Sequence, residues 1–107
     1  MSLIDYFLKR RSIRAFSNQI VTKEQINKLF DACKWAPSAY NEQPWMYYYA
    51  LKENEVAFEQ FIDCLVEANQ KWAKNAQVMM LSIGKKINSQ TNSDNRYYMH
   101  EVGAANA

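Results

Sequence analysis

Ala36-Pro37-Ser38-Ala39-Tyr40-Asn41-Glu42-Gln43-Pro44-Trp45 is the segment on which the reading of this chain turns. Pro37 disfavours helical geometry in the residue before it, so a helix running up from the N-terminal side must close here. On the far side, Trp45 to Leu51 (WMYYYAL) is a dense aromatic run that suits a strand better than an exposed helix. Between the two elements, a pair of prolines braces a loop holding Ser38, Asn41 and Gln43. Primary amides both donate and accept, so they can match the mixed edge of a heteroaromatic ring, and loops on rigid scaffolds often carry binding groups. On composition alone, however, the segment is better read as an ordinary polar turn.

Working back towards the N-terminus, Thr22 opens a helix with Gln25 three residues on, a capping-box pattern. Its buried stripe is expected to be Ile26, Leu29, Phe30 and Cys33. Before it, Ser2 can cap a first helix in which Leu3, Ile4, Phe7 and Leu8 follow helical spacing, ending near Arg10 to Ser12. Lys9-Arg10-Arg11-Ser12-Ile13-Arg14 gathers guanidinium groups and a hydroxyl, many donors and no carboxylate. If the turn stays helical, Arg10 and Arg14 share a face. Guanidinium forks bind phosphate bidentately, so the group suits an anion with several oxygens. Taken alone, it reads rather as a solvated basic end offsetting a helix dipole.

Working forward, Glu55 to Ala68 has helical spacing through Phe58, Phe61, Ile62, Leu65 and Val66. Gln77 to Ile83 is a short apolar run ending at Gly84, expected as a buried strand. Asn88 to Asn95 (NSQTNSDN) is a polar loop. A further helix begins near Tyr97, and its small and apolar residues Val102, Gly103, Ala104 and Ala105 suit close packing in a core. It meets no stop signal before Ala107, which reads as one incomplete domain over residues 1–107, interrupted within a helix.

The bulk numbers narrow the class. With 107 residues, 49% of them apolar and 22% charged, the chain is one small globular domain rather than a disordered one. No apolar run approaches a membrane span, and the basic residues of MSLIDYFLKRR follow its apolar stretch, unlike a signal peptide. A cytoplasmic location is expected. The two cysteines, Cys33 and Cys64, are too few for a disulfide framework and are expected as buried, reduced thiols. His100 and the scattered carboxylates have no metal-ligand spacing, so no metal is expected. A net charge of +2 is too small to call for a nucleic-acid partner.

Taken together, RRSIR near the N-terminus, a capped helix and then APSxxNxQPW running into a strand resemble the nitroreductase family of FMN enzymes. Two later stretches agree. Asn75 to Leu81 (NAQVMML) resembles the family's strand after the third helix, with Gln77 where proline is usual. Tyr98 to Ala105 (YMHEVGAA) resembles the opening of its long central helix. The resemblance spans essentially the whole chain.

The resemblance implies an α+β fold, a mixed sheet flanked by helices, in a homodimer whose two flavin sites are shared across the interface. Arg10, Arg11, Ser12 and Arg14 match positions that hold the FMN phosphate, ribityl chain and pyrimidine edge. Pro37, Ser38 and Ala39 match the loop that reaches the partner's flavin. Asn41 and Gln43 help shape that loop, and Asn69 lies near a position contacting the isoalloxazine. The implied activity is hydride transfer from NAD(P)H through flavin N5 to an electron-poor acceptor such as a nitroaromatic or quinone. The cofactor carries that chemistry, so no catalytic acid, base or nucleophile is named. The alternative is a non-catalytic flavin-binding or dimerisation remnant. Family members run to about twice this length for a single domain.

Overall fold

The computed structural model describes residues 1–107. Its centre is an antiparallel ribbon of β1 (Trp45–Leu51) and β2 (Val78–Gly84), in register from Trp45 opposite Gly84 to Leu51 opposite Val78. Because side chains alternate across a strand, β1 serves two layers. On one face Ala50 joins Phe58, Ile62 and Ala73 in a buried cluster. On the other, Tyr47 and Tyr49 pack on Phe30, with ring centroids 5.5 and 5.9 Å apart.

Helices pack on both faces but leave Met46, Tyr48 and Leu81 exposed. α1 (Leu3–Lys9) comes first, with the Asp5 carboxylate accepting from the Ser2 backbone N–H and hydroxyl. Residues 10–21 then run without helix or strand. α2 (Lys23–Cys33) has the expected capping box: Thr22 N–H donates to the Gln25 side chain and Gln25 N–H to Thr22 Oγ1. α3 (Glu55–Asp63) and α4 (Glu67–Ala73) carry the buried cluster. α5 (Tyr98–Asn106) returns to the α2 face, where Tyr47 Oη donates to Asn106 Oδ1 and Cys33 Sγ to Ala105 O. The α+β class is as expected, and the strands of this chain form the antiparallel pair alone. No helix is long and apolar enough to cross a membrane.

Six expectations are corrected. β2, expected as a buried strand, has no buried residue, and its Met80, Leu81 and Ser82 are exposed, because the helices of this chain cover only part of the ribbon. The helix placed over Glu55 to Ala68 breaks in two: Val66 is extended (φ −63°, ψ 150°) and caps α4, while Gln70 Nε2 donates to the Leu65 carbonyl that the break frees. Leu65 and Val66 keep the apolar spacing, which hides the break. α1 ends at Lys9, and Arg10 already has ψ 132°, so Arg10 and Arg14 share no helical face. Leu29 is exposed rather than part of a buried stripe, because α2 buries only Ile26 and turns Leu29 to an apolar cleft beside Trp35 and Ala104. Cys64 is exposed at the end of α3, and Cys33 is half-buried. Gly103 and Ala104 lie on the exposed side of α5, whose buried residues are Glu101 and Val102.

Gly84 is where β2 meets α5. A Cβ there would stand 2.7 Å from Tyr98 Cδ2, closer than such atoms approach, so the glycine lets the helix start directly against the strand.

Candidate functional site

Two groups of candidate residues stand at opposite ends of the ribbon. The basic segment lies at the Leu51/Val78 end. Gln77, just before β2, donates from Nε2 to the carbonyl of Ser17 at 3.2 Å and so ties the segment to the sheet. Upstream, the Arg14 guanidinium sits over the Trp72 ring, 5.8 Å from its centroid, and Phe16 packs beside the same ring at 6.2 Å. Such a contact orients a cation while leaving its outer edge free to donate. Trp72 Nε1 donates to Asn69 Oδ1 at 3.3 Å. Trp72 therefore joins Arg14 to Asn69, two residues 55 positions apart in the chain.

Arg11 Nη1 donates to the carbonyls of Leu8 and Arg10, both at 2.8 Å. These bonds close the end of α1 and fix the direction of the arginine run. Arg10, Arg11, Ser12 and Arg14 are all exposed. The ion pairs of the chain are Glu24–Lys28 and Asp31–Lys34, so none of the three guanidinium groups is neutralised by a carboxylate. A cluster of unneutralised arginines on extended backbone is chemically suited to a phosphate.

The loop of Pro37, Ser38, Ala39, Asn41 and Gln43 lies at the other end, beside Trp45 and Gly84. Seven residues of strand at about 3.3 Å each put roughly 20 Å of ribbon between the loop and the Ser17 tie. The loop is strained: Tyr40, Asn41 and Gln43 all have left-handed φ, at 53°, 53° and 48°. A bulky residue such as tyrosine seldom adopts that region, and strain of this kind persists only where neighbours over-determine it. The loop's own bonds do part of this. Gln43 N–H donates to Ser38 Oγ at 3.1 Å and Gln43 Nε2 to Asn41 Oδ1 at 3.0 Å. Asn41 and Gln43 thus brace the loop, and Pro44 behind it is fully buried.

The remaining bonds come from elsewhere. Ala39 N–H donates to Glu101 Oε1 at 2.7 Å, and Ser89 N–H donates to Glu42 Oε1 at 2.6 Å. The Ser89 backbone bond holds the Glu42 carboxyl below its ordinary range, helped by the Ser89 side chain and by the charge of Lys85. Between this loop and residues 88–97 lies a polar cleft of about 480 Å³. At the centre of the ribbon, burial and the neighbouring Cys33 thiol push the Tyr47 hydroxyl up to about 12.

The sequence singles out the arginines and the loop but not Trp72 or Glu101. Trp72 had only its aromatic character to mark it. Glu101 lay inside the YMHEVGAA stretch, where a lone carboxylate gives no sign of its distant partners.

Comparison with known proteins follows this arrangement. The sequence profile described as the Nitroreductase family matches residues 7–105. A chain of Archaeoglobus fulgidus, provisionally named NADH dehydrogenase/NAD(P)H nitroreductase, is 53% identical over 36 residues, which make up 34% of this chain and 21% of that one. A crystal structure described as an oxidoreductase containing FMN superposes with a TM-score of 0.83 at 40% identity, covering 92% of this chain and 51% of that one. The FMN-dependent nitroreductase of Clostridium difficile R20291 shares the fold, with a TM-score of 0.76 at 23% identity over 97% of this chain and 56% of that one. The chain spans about half the length of these solved structures and a smaller share of the curated relative. With the family profile matched over nearly its whole length and the same fold around both motifs, the chain belongs to the nitroreductase family.

Proposed function

We propose that this chain supplies the phosphate-binding end and the loop of an FMN-dependent oxidoreductase that works as a homodimer. The observation that carries the reading is the unneutralised set Arg10, Arg11 and Arg14, in which Arg14 lies on Trp72, Arg11 on the end of α1, and none pairs with a carboxylate. These residues fit FMN: the guanidinium groups suit its phosphate, Ser12 adds a hydroxyl, and Asn69 offers an amide beside Arg14. FMN bound here would carry hydride from NAD(P)H to an electron-poor acceptor such as a nitroaromatic or quinone. The protein's part is to bind, orient and tune. Arg14, steadied by Trp72, places positive charge where it would stabilise a negatively charged ring edge.

The loop of Pro37, Ser38 and Ala39 stands at the Trp45/Gly84 end of the ribbon, whereas Ser17, three residues beyond Arg14, is tied to the Leu51/Val78 end. That separation supports a site made by two copies, with the loop of one serving the arginines of the other.

The test is to titrate the protein with FMN and then add NADH or NADPH anaerobically. Binding followed by bleaching of the yellow flavin band is expected. No flavin binding overturns the assignment. Binding without bleaching by either nucleotide overturns the enzymatic half and leaves a flavin-holding protein.

A further inference from the structure

Glu101 is only 6% exposed on α5, yet it pairs with no lysine or arginine. Burying a carboxylate without a cation is costly unless hydrogen bonds satisfy it. Both oxygens are used, and both partners belong to loops. Oε1 accepts from Ala39 N–H at 2.7 Å, in the strained segment, and Oε2 accepts from Asn95 Nδ2 at 3.3 Å. Asn95 is also buried. Its own Oδ1 accepts from Tyr97 N–H at 3.0 Å, which fixes the amide so that its nitrogen faces Glu101. The loop's internal bonds set its shape but not its place. Its place is set by Glu101, by the Glu42–Ser89 bond and by the return of Lys85 N–H to Pro44 O.

We propose that Glu101 is a positioning residue: through Ala39 N–H it holds the 38–43 loop in the place at which Ser38 and Ala39 meet the flavin. The inference rests on the flavin reading above and goes beyond it by assigning a role to a buried carboxylate that does not itself touch the cofactor. It also follows that the 38–43 and 88–95 loops are registered on one side chain, so that both follow any movement of α5.

The bonding polarity supplies a specific test. Glutamine at position 101 has a single acceptor oxygen and cannot satisfy Ala39 N–H and Asn95 Nδ2 together. Glu101→Gln should therefore weaken FMN binding about tenfold, the usual scale for loss of a charge-assisted bond. Asn95→Asp alone sets two carboxylates face to face and should weaken it as well. In the double variant Glu101→Gln/Asn95→Asp, the new amide nitrogen meets the new carboxylate, Ala39 N–H keeps an acceptor, and Tyr97 N–H keeps its partner. Affinity should return to within about threefold of the unaltered protein.

A role confined to folding is separated by mixing. Glu101→Gln chains keep intact arginines, and Arg10→Ala/Arg14→Ala chains keep an intact loop. Their mixed dimer should recover one tight site if Glu101 acts through the loop on the partner's flavin. Flavin fluorescence measures affinity, and thermal unfolding of each flavin-free variant checks its fold. Lack of flavin binding by the unaltered protein overturns this inference together with the flavin reading. An unaltered protein that binds, beside a Glu101→Gln variant that binds equally well, overturns the role of Glu101 alone. No recovery in this mixed dimer, where mixing a Ser38 variant with the same arginine variant does recover a site, overturns it too. Should Glu101→Gln fail to fold, a double variant that folds yet does not regain flavin binding overturns it as well.

Discussion

At the scale of single residues, the site is a matter of which donors are left unsatisfied. Arg11 is committed in part to the carbonyls of Leu8 and Arg10, whereas Arg10 has no such bond and Arg14 is held only by the face of Trp72. Charge-assisted contacts to phosphate contribute about 1.5–3 kcal/mol each. Replacing Arg10 or Arg14 with alanine should then weaken FMN binding by about tenfold or more per residue. Riboflavin, which lacks the phosphate, should lose less at whichever arginine meets that group. Unchanged FMN affinity in the double variant, read by flavin fluorescence, would remove the arginines from the site. Glu42 gives a pH dependence of known sign. Its folded carboxyl is lowered, so it adds stability above the ordinary carboxylate range, and that contribution is lost as pH falls through the lowered value. Glu42→Gln should flatten the acid side of the unfolding profile by a small amount, and an unaltered acid limb would show that the Ser89 bond does not persist in solution. The arginines and the PSAYNEQP loop were legible in the sequence because each is contiguous. Glu101 was not, because its bond to Ala39 spans 62 residues and nothing local records it.

At the scale of elements, the strands and most helices followed from local pattern: the capping box at Thr22, the aromatic run of β1 and the start of α5 all lie where the residues placed them. Two of the misreadings share one cause. Apolar spacing reports which residues could face a core, not which core is present, so Leu29 reads as buried and the α3–α4 break goes unseen. Gln77 shows the reverse case, in which a departure from the family's proline acquires a bond to Ser17 that proline could not make. Two predictions belong here. Gly84→Ala would drive a Cβ into the Tyr98 ring and push α5 off the ribbon. A loss of about 1–3 kcal/mol is expected for such overpacking; chemical denaturation with no loss would mean that Tyr98 moves aside freely. The second concerns the separation of the two motifs. If they meet at one flavin only between copies, mixing a Ser38 variant with an Arg10 variant should restore one intact site per mixed dimer. A mixture that binds no more flavin than its separate components would place both motifs in the same copy's site.

At the scale of the whole molecule, the decisive quantity is how much surface the fold leaves uncovered. A compact monomer of this mass exposes about 6,200 Å², whereas this chain exposes 8699 Å². Its radius of gyration is 16.0 Å, against about 13 Å for a compact domain of this length. The excess of roughly 2,500 Å² on one chain is surface for a partner copy, or for the further length that the solved relatives carry, to cover. Its character agrees: α1 buries no residue, and Leu3, Ile4, Phe7 and Leu8 are each at least 63% exposed. Trp35 stands 89% exposed above the apolar cleft between α2 and α5. The two strands also have no further neighbours within the chain, and a two-stranded ribbon is marginal unless something packs against it. None of this was legible from composition, which is that of an ordinary globular protein, because composition counts apolar residues without saying how many the fold can cover. The 107-residue chain is therefore expected to depend on association for its stability. Its thermal midpoint should rise with protein concentration, as it does when the folded state is the assembled one. Excess FMN should raise it further, by about 2.7 kcal/mol of stabilisation at a hundredfold excess over Kd. Sedimentation should show dimers or larger species across the same range. A monodisperse monomer that unfolds sharply at a midpoint independent of concentration would show that these apolar faces need no partner, and the shared-site arrangement would lose its physical basis.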